Sequence, residues 1–212
     1  MLISHTKKFI FIHNYKVAGT SIRTGLRNYN SKSPIKSSLG TKLGMLIGKY
    51  PKIFSSQFDG HIRAKDLKAK LPAEVFESYF KFGFVRNPWD WQVSLYEFML
   101  KDKDHYQHEF IKNLGSFEKY LAWRIEKELR FQKDFFYDGD QLLVDYVGKL
   151  ETLNEDMEAI ATKLNIKIEV PHLKKSRDNK KFLHYYTPET VALVADAFKK
   201  DIEAFGYTVP EI

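Results

Sequence analysis

A short apolar run, Lys8 to His13, passes without a spacer into Asn14-Tyr15-Lys16-Val17-Ala18-Gly19-Thr20-Ser21. The chain then takes up helical spacing, with Ile22, Leu26 and Tyr29 on one face. The run is rich in Ile and Phe, as a buried strand is. Strand, tight loop and helix in that order open an α/β unit. The N-terminus of such a helix presents unpaired N–H groups and partial positive charge, which suits a phosphate. Gly19 lets the backbone come close, Thr20 and Ser21 add hydroxyls, and Lys16 adds a full mobile charge. The nucleoside-triphosphate loop, Gly-x-x-x-x-Gly-Lys-Ser/Thr, is absent, because here the lysine precedes the glycine. The local pattern alone supports a phosphate loop and a plain turn with a solvated lysine equally.

A second junction follows. Phe80 to Val85 reads as a buried strand, Asn87 as an N-cap and Pro88 as the first helical residue. The helix beyond places Trp89, Val93, Tyr96 and Leu100 on one stripe. Between the junctions, residues 30–58 are rich in Ser, Lys and Gly and read as a variable excursion with one short helix near Leu43 to Tyr50, a natural place for substrate contacts. Short helices are expected at Ala64 to Leu71 and Pro72 to Tyr79. Ser116 caps a helix running to about Arg130, and Leu142 to Val147 reads as a third strand. Thr152 and Glu155 form a capping-box pattern. Thr187 and Pro188 start one final helix with Val191, Val194, Phe198, Ile202 and Phe205 buried. With no repeat and no linker, the 212 residues read as a single domain.

Composition narrows the function. A 43% hydrophobic content supports an ordinary globular core. There are no cysteines, which excludes disulfides, thiolate metal sites and Cys nucleophiles. No apolar run reaches the roughly 18 to 20 residues that span a bilayer. Met1 to His13 lacks the features of a signal peptide, so a cytoplasmic protein is expected. The net charge of +7 suits an anionic partner without choosing one. A nucleic-acid-binding module would group its basic residues in a stripe with exposed aromatics. Here they read as scattered, so no nucleic-acid partner is expected.

Phe11-Ile12-His13 with Lys16-Val17-Ala18-Gly19-Thr20-Ser21 resembles the 5′-phosphosulfate loop of sulfotransferases, whose common form is Pro-Lys-Thr-Ala/Gly-Gly-Thr-Ser. The departures are Tyr15 for the proline and Val17 for the threonine. The second removes a hydroxyl donor. Phe82 to Asp90 with Val93-Ser94-Leu95-Tyr96 resembles the family's 3′-phosphate motif, an Arg at a strand end and a Ser on the next helix. Trp91 stands where members usually carry Arg, a change expected to alter the surface near the nucleotide without touching Arg86 or Ser94. Asp145 to Glu151, Pro171-His172-Leu173, Tyr185 to Glu189 and Phe205-Gly206-Tyr207 also resemble carbohydrate-type sulfotransferases and their bacterial relatives. The resemblance is weakest over residues 30–58.

The resemblance implies a three-layer P-loop-like α/β fold with a central, mostly parallel sheet flanked by helices. It implies 3′-phosphoadenosine-5′-phosphosulfate (PAPS) as donor, the bisphosphate PAP as product and no metal. Lys16, Ala18, Gly19, Thr20, Ser21 and Ile22 would bind the 5′ side, Arg86 and Ser94 the 3′-phosphate. Lys16 would face the bridging oxygen. Lys175 and Arg177, in the basic cluster with Lys174, Lys180 and Lys181, are further candidate donor ligands, with a solvated basic loop as the equal alternative. The acceptor would be a hydroxyl, on a glycan or glycolipid.

For the base that such an acceptor needs, His61 is chosen. Its ordinary pKa lies near working pH, it sits at a loop-to-helix entry, and it resembles a Gly-His element of bacterial relatives. Asp59 and Glu97 compete with it. His13 reads as core or loop support, and the His105/His108 pair as surface residues without a third metal ligand. The rival functions are a P-loop-type small-molecule kinase and a sulfotransferase fold that binds nucleotide without catalysis.

Overall fold

The computed structural model describes residues 1–168 and 182–212. In chain order the elements are β1 (Leu2–Ser4), β2 (Phe9–Ile12), α1 (Gly19–Gly25), α2 (Leu39–Leu46), α3 (Ala64–Lys70), α4 (Ala73–Ser78), β3 (Phe80–Val85) and α5 (Pro88–Lys101). There follow α6 (His108–Leu114), α7 (Phe117–Lys127), β4 (Tyr137–Asp138), β5 (Gln141–Leu142), β6 (Tyr146–Lys149), α8 (Leu153–Leu164), α9 (Pro188–Ala197) and α10 (Lys199–Phe205). They form two compact units, Met1–Val85 with the segment from Asp134, and Arg86–Lys133 with the C-terminal segment.

The first unit is a mixed α/β structure. Its four-stranded sheet has the order β1-β2-β3-β6. β1 and β2 are antiparallel, while β2, β3 and β6 run parallel, with Phe11 opposite Phe82 and Gly83 opposite Val147. Strand alternation puts Phe9, Phe11, Phe82 and Phe84 on one face. There they pack with Ile22 of α1, with Leu26 at its C-terminal cap, and with Leu153, Met157 and Ile160 of α8. Ile10 and Ile12 point the other way and are equally buried. On that side Gly83 is needed for space. A Cβ there would lie 2.2 Å from the Phe136 ring and 2.8 Å from the Ile12 carbonyl oxygen.

The second unit is helical. Trp89, Trp91, Val93 and Tyr96 of α5 pack with Phe117, Tyr120 and Leu121 of α7 and with Val191 and Val194 of α9. Trp89 Nε1 donates to the Val191 carbonyl at 3.1 Å, and Tyr186 donates its hydroxyl to the Trp89 carbonyl at 2.8 Å. Trp91 is therefore a core residue, 1% exposed and edge-on to Phe198, so this departure lies in the core and not on the surface it was expected to alter.

Four expected elements come out differently. The excursion helix begins earlier, at Leu39, because Ser38 caps it through the Thr41 N–H, and it ends before Gly48 at a φ of 74°. The third strand starts at Tyr146. Asp145 holds its entry instead, its carboxylate accepting from the Lys81 N–H and pairing with the Lys81 ammonium at 3.0 Å. Thr152 forms no capping box, since its hydroxyl donates to Asp156 Oδ2. The last helix breaks at Phe198 into α9 and α10. Among the described residues no helix is long and apolar enough to cross a membrane.

Candidate functional site

The loop between β2 and α1 is shaped by its own backbone. Lys16 and Ala18 both have a φ of 57°, in the left-handed region that non-glycine residues enter at a cost. Such conformations turn successive N–H groups to one side, the arrangement that holds anions. Thr20 is exposed and Ser21 half-buried, and the first turn of α1 carries no acidic residue to repel an anion. Ammonium, hydroxyl and N–H groups are the donor set a phosphate ester requires, so the loop fits a phosphorylated ligand.

Gly19 has a different reason to be glycine. A Cβ on it would sit 1.7 Å from His13 Nε2. The His13 ring fills the space under the loop, 8% exposed, stacked on Phe11. Burial above all, and then the neighbouring charge on His61, hold its pKa down to about 3. It is a neutral support residue.

His61 stands over this support. Its ring lies 4.3 Å from that of His13 and is stacked on Tyr15 at 4.0 Å and 22°. Its Nδ1 is 3.0 Å from the His13 carbonyl oxygen. A carbonyl can only accept, so Nδ1 carries the hydrogen and Nε2 is the basic nitrogen of the neutral ring. Burial lowers the His61 pKa from the ordinary value of 6.5, partly opposed by that hydrogen bond. The imidazole is thus neutral, oriented and able to accept a proton near pH 7. Asp59, a competing base, is committed to the turn, accepting the His61 N–H at 2.6 Å. Beside the rings opens a cleft of about 380 Å³, lined by Tyr15, Asp59, His61, Arg63, Asp66 and Lys70.

In the helical unit, Arg86 gives two of its five N–H donors to Asp90, Nε at 2.6 Å and Nη2 at 2.7 Å. Its backbone is clamped as well. Its N–H donates to Gln132 Oε1, and Gln132 Nε2 donates to its carbonyl at 2.7 Å. The wholly buried Asp201 accepts the N–H groups of Gln132 and Lys133. Arg86, Asp90 and Ser94 follow at four-residue intervals, so Asp90 and Ser94 share one side of α5. Glu97, the other competing base, accepts the Tyr185 hydroxyl at 3.0 Å.

A sequence profile of the sulfotransferase family matches residues 1–208. The chain belongs to the sulfotransferase family. No curated protein matches it. The family makes it a sulfotransferase enzyme, with a sulfate donor and a hydroxyl acceptor.

Several residues singled out in the sequence of this sulfotransferase have positions set by packing. Ile22 is fully buried, and its N–H donates to the Ala18 carbonyl. Val17 is also fully buried, in the cluster around Phe9, Phe11 and Phe84. That side chain packs the sheet, so the missing hydroxyl is explained by packing. His108 is buried, its Nδ1 donating to the Met99 carbonyl, and His105 precedes α6, so the two are not a surface pair on one helix. Among the described residues no three His, Asp or Glu side chains gather as a metal site. Lys175 and Arg177, with the rest of their basic cluster, lie outside the described residues. Sequence reasoning missed Tyr15. Its signal was the aromatic ring in the family's proline position, directly before Lys16.

Proposed function

We propose that this sulfotransferase moves a sulfuryl group from PAPS to a hydroxyl of a carbohydrate acceptor, with His61 as the base. The observation that carries the reading is the fixed imidazole. The His13 carbonyl holds the proton on Nδ1, Tyr15 holds the ring plane, and Nε2 is left as the basic atom beside the phosphate-type loop.

Lys16, Ala18, Gly19, Thr20 and Ser21 bind the 5′ side of the donor, and Arg86 and Ser94 the 3′-phosphate. Asp90 holds the Arg86 guanidinium in a fixed orientation through its Nε–Nη2 edge. The donor supplies an activated sulfuryl group. The acceptor O–H gives its proton to His61 Nε2 as its oxygen bonds to sulfur. The bond from sulfur to the bridging phosphate oxygen breaks, PAP departs with the electron pair, and Lys16 stabilises the charge on that oxygen. No step requires a metal. The cleft beside His61 receives the acceptor. Tyr15 offers a flat apolar face, and Asp59, Arg63, Asp66 and Lys70 offer polar groups of both signs, which suits a polyhydroxylated ring. The family match runs through both compact units, which supports reading them as one three-layer, P-loop-like sulfotransferase domain.

Calorimetry with PAP against ATP plus magnesium, followed by sulfate transfer from labelled PAPS to a glycan panel, tests this. PAP binding and transfer are expected. Preference for ATP would return the chain to the kinase reading, and PAP binding without any transfer would make it a non-catalytic member.

A further inference from the structure

α2 is built inside out. At about 100° per residue, Leu39, Leu43 and Leu46 fall on one stripe, continued by Ile47. A surface helix of a globular protein turns such a stripe to the core. Here Thr41, Gly44 and Met45 on the opposite side are buried, and the stripe faces solvent. Leu39 is 83% exposed, Leu43 56%, Leu46 80% and Ile47 68%, and Ile35 just upstream is 87% exposed. The buried side is firmly seated. A Cβ on Gly44 would lie 2.5 Å from the Tyr50 ring, so this contact fixes which face points out.

The charge around the stripe is one-sided. Residues 30–58 hold Lys32, Lys36, Lys42, Lys49 and Lys52 and not one Asp or Glu. All five lysines are exposed, and among the described residues none pairs with a carboxylate. The first acidic residue of the chain is Asp59. Residues 1–58 carry ten basic side chains, and the rest of the chain carries 24 basic against 27 acidic, so the whole positive excess belongs to the first 58 residues. The basic residues that read as scattered are therefore segregated by sign.

We propose that α2 and its flanking segments dock this protein on an anionic phospholipid surface. The leucine stripe enters the boundary between headgroups and acyl chains, and the lysines meet the lipid phosphates, with their stems lying along the apolar layer. Charge complementarity selects this occupant. A second copy of the chain would bring five lysines against five, whereas an anionic leaflet attracts every one. The inference does not depend on the donor or acceptor of the reaction.

The test is sedimentation of the full chain with vesicles of phosphatidylcholine alone and of phosphatidylcholine with phosphatidylglycerol. We expect partition into the anionic vesicles, little into the neutral ones, and weakening as salt rises. Lys36→Glu and Lys42→Glu should each weaken partition by at least roughly fivefold, the equivalent of ~1 kcal/mol per lysine. The triple variant Leu39→Ser, Leu43→Ser, Leu46→Ser should abolish it with an unchanged circular dichroism spectrum, since these side chains support no core. Failure to bind anionic vesicles, equal binding to neutral ones, or full binding by the triple variant would each overturn the proposal. Self-association that the triple variant abolishes, without vesicle binding, would assign the face to a second copy instead.

Discussion

At the residue scale, three neighbours fix His61, the proposed base, for different reasons. The His13 carbonyl fixes the tautomer, Tyr15 fixes the ring plane, and Asp59 fixes the backbone that presents it. Removing the base in His61→Ala should lower kcat by about 10² to 10⁴ and leave the donor KM nearly unchanged. The pH profile gives a second readout. Because burial lowers the His61 pKa, the base stays deprotonated below the usual histidine range. The acid limb of kcat/KM should therefore have its midpoint below 6.5 and should vanish in the variant. A positioning role for Tyr15 predicts that Tyr15→Phe keeps the rate while Tyr15→Ala lowers kcat. Unimpaired turnover in His61→Ala would move the base to another group. His61 was legible in the sequence as a histidine at a loop-to-helix entry. Its partner Tyr15 was not, because their contact joins positions 46 residues apart that only the folded sheet brings together.

At the element scale, the sequence was most readable where local rules act alone. β3 occupies Phe80–Val85 as expected, and Asn87 caps α5 through the Trp89 and Asp90 N–H groups, with Pro88 at the first position. Legibility failed where a tertiary partner competed with the local rule. Asp156 takes the Thr152 hydroxyl that the capping box would have used, and Asp145 displaces the start of β6. Trp91 reads as an outlier against a family pattern, but the core of the helical unit decides its place. Two variants probe these elements. Gly83→Ala puts a methyl group into the Phe136 ring and against the Ile12 carbonyl, and should destabilise by about 1–3 kcal/mol in urea unfolding. Gln92 in α5 is wholly buried, and among the described residues both its amide atoms are without a hydrogen-bond partner. Gln92→Met keeps the length, removes the unsatisfied amide and should stabilise by about 1–3 kcal/mol. A loss of stability would mean that the amide has a partner, such as an ordered water.

For the whole molecule, buried histidines shape part of the response to acid. His5 is fully buried, its Nε2 donating to the Ile53 carbonyl and its Nδ1 accepting from the Tyr79 hydroxyl, and burial lowers its pKa. Burial likewise lowers those of His13, to about 3, and His61. The folded state therefore excludes protons that the unfolded chain begins to bind as pH falls through 6.5. Stability rises with pH wherever the unfolded state binds more protons. The stabilisation is complete above 6.5 and is lost as pH falls towards the folded-state values. Between pH 6.5 and about 5 exposed carboxylates stay ionised, so the loss in that window reports the histidines together with the buried Met1 amino group, whose pKa burial lowers to about 5. Each contributes at most about 1.4 kcal/mol per pH unit once its unfolded form is protonated. His13 has the deepest shift and should contribute across the whole window. Urea unfolding at pH 7.5, 6.0 and 5.0 should show stability falling at each step. His13→Gln, which cannot take up a proton, should flatten the fall by about one histidine's share, whatever its effect at pH 7.5. An equal slope in the variant would show that His13 is protonated in the folded protein, and the account of Gly19 and the loop resting on a neutral ring would fail with it.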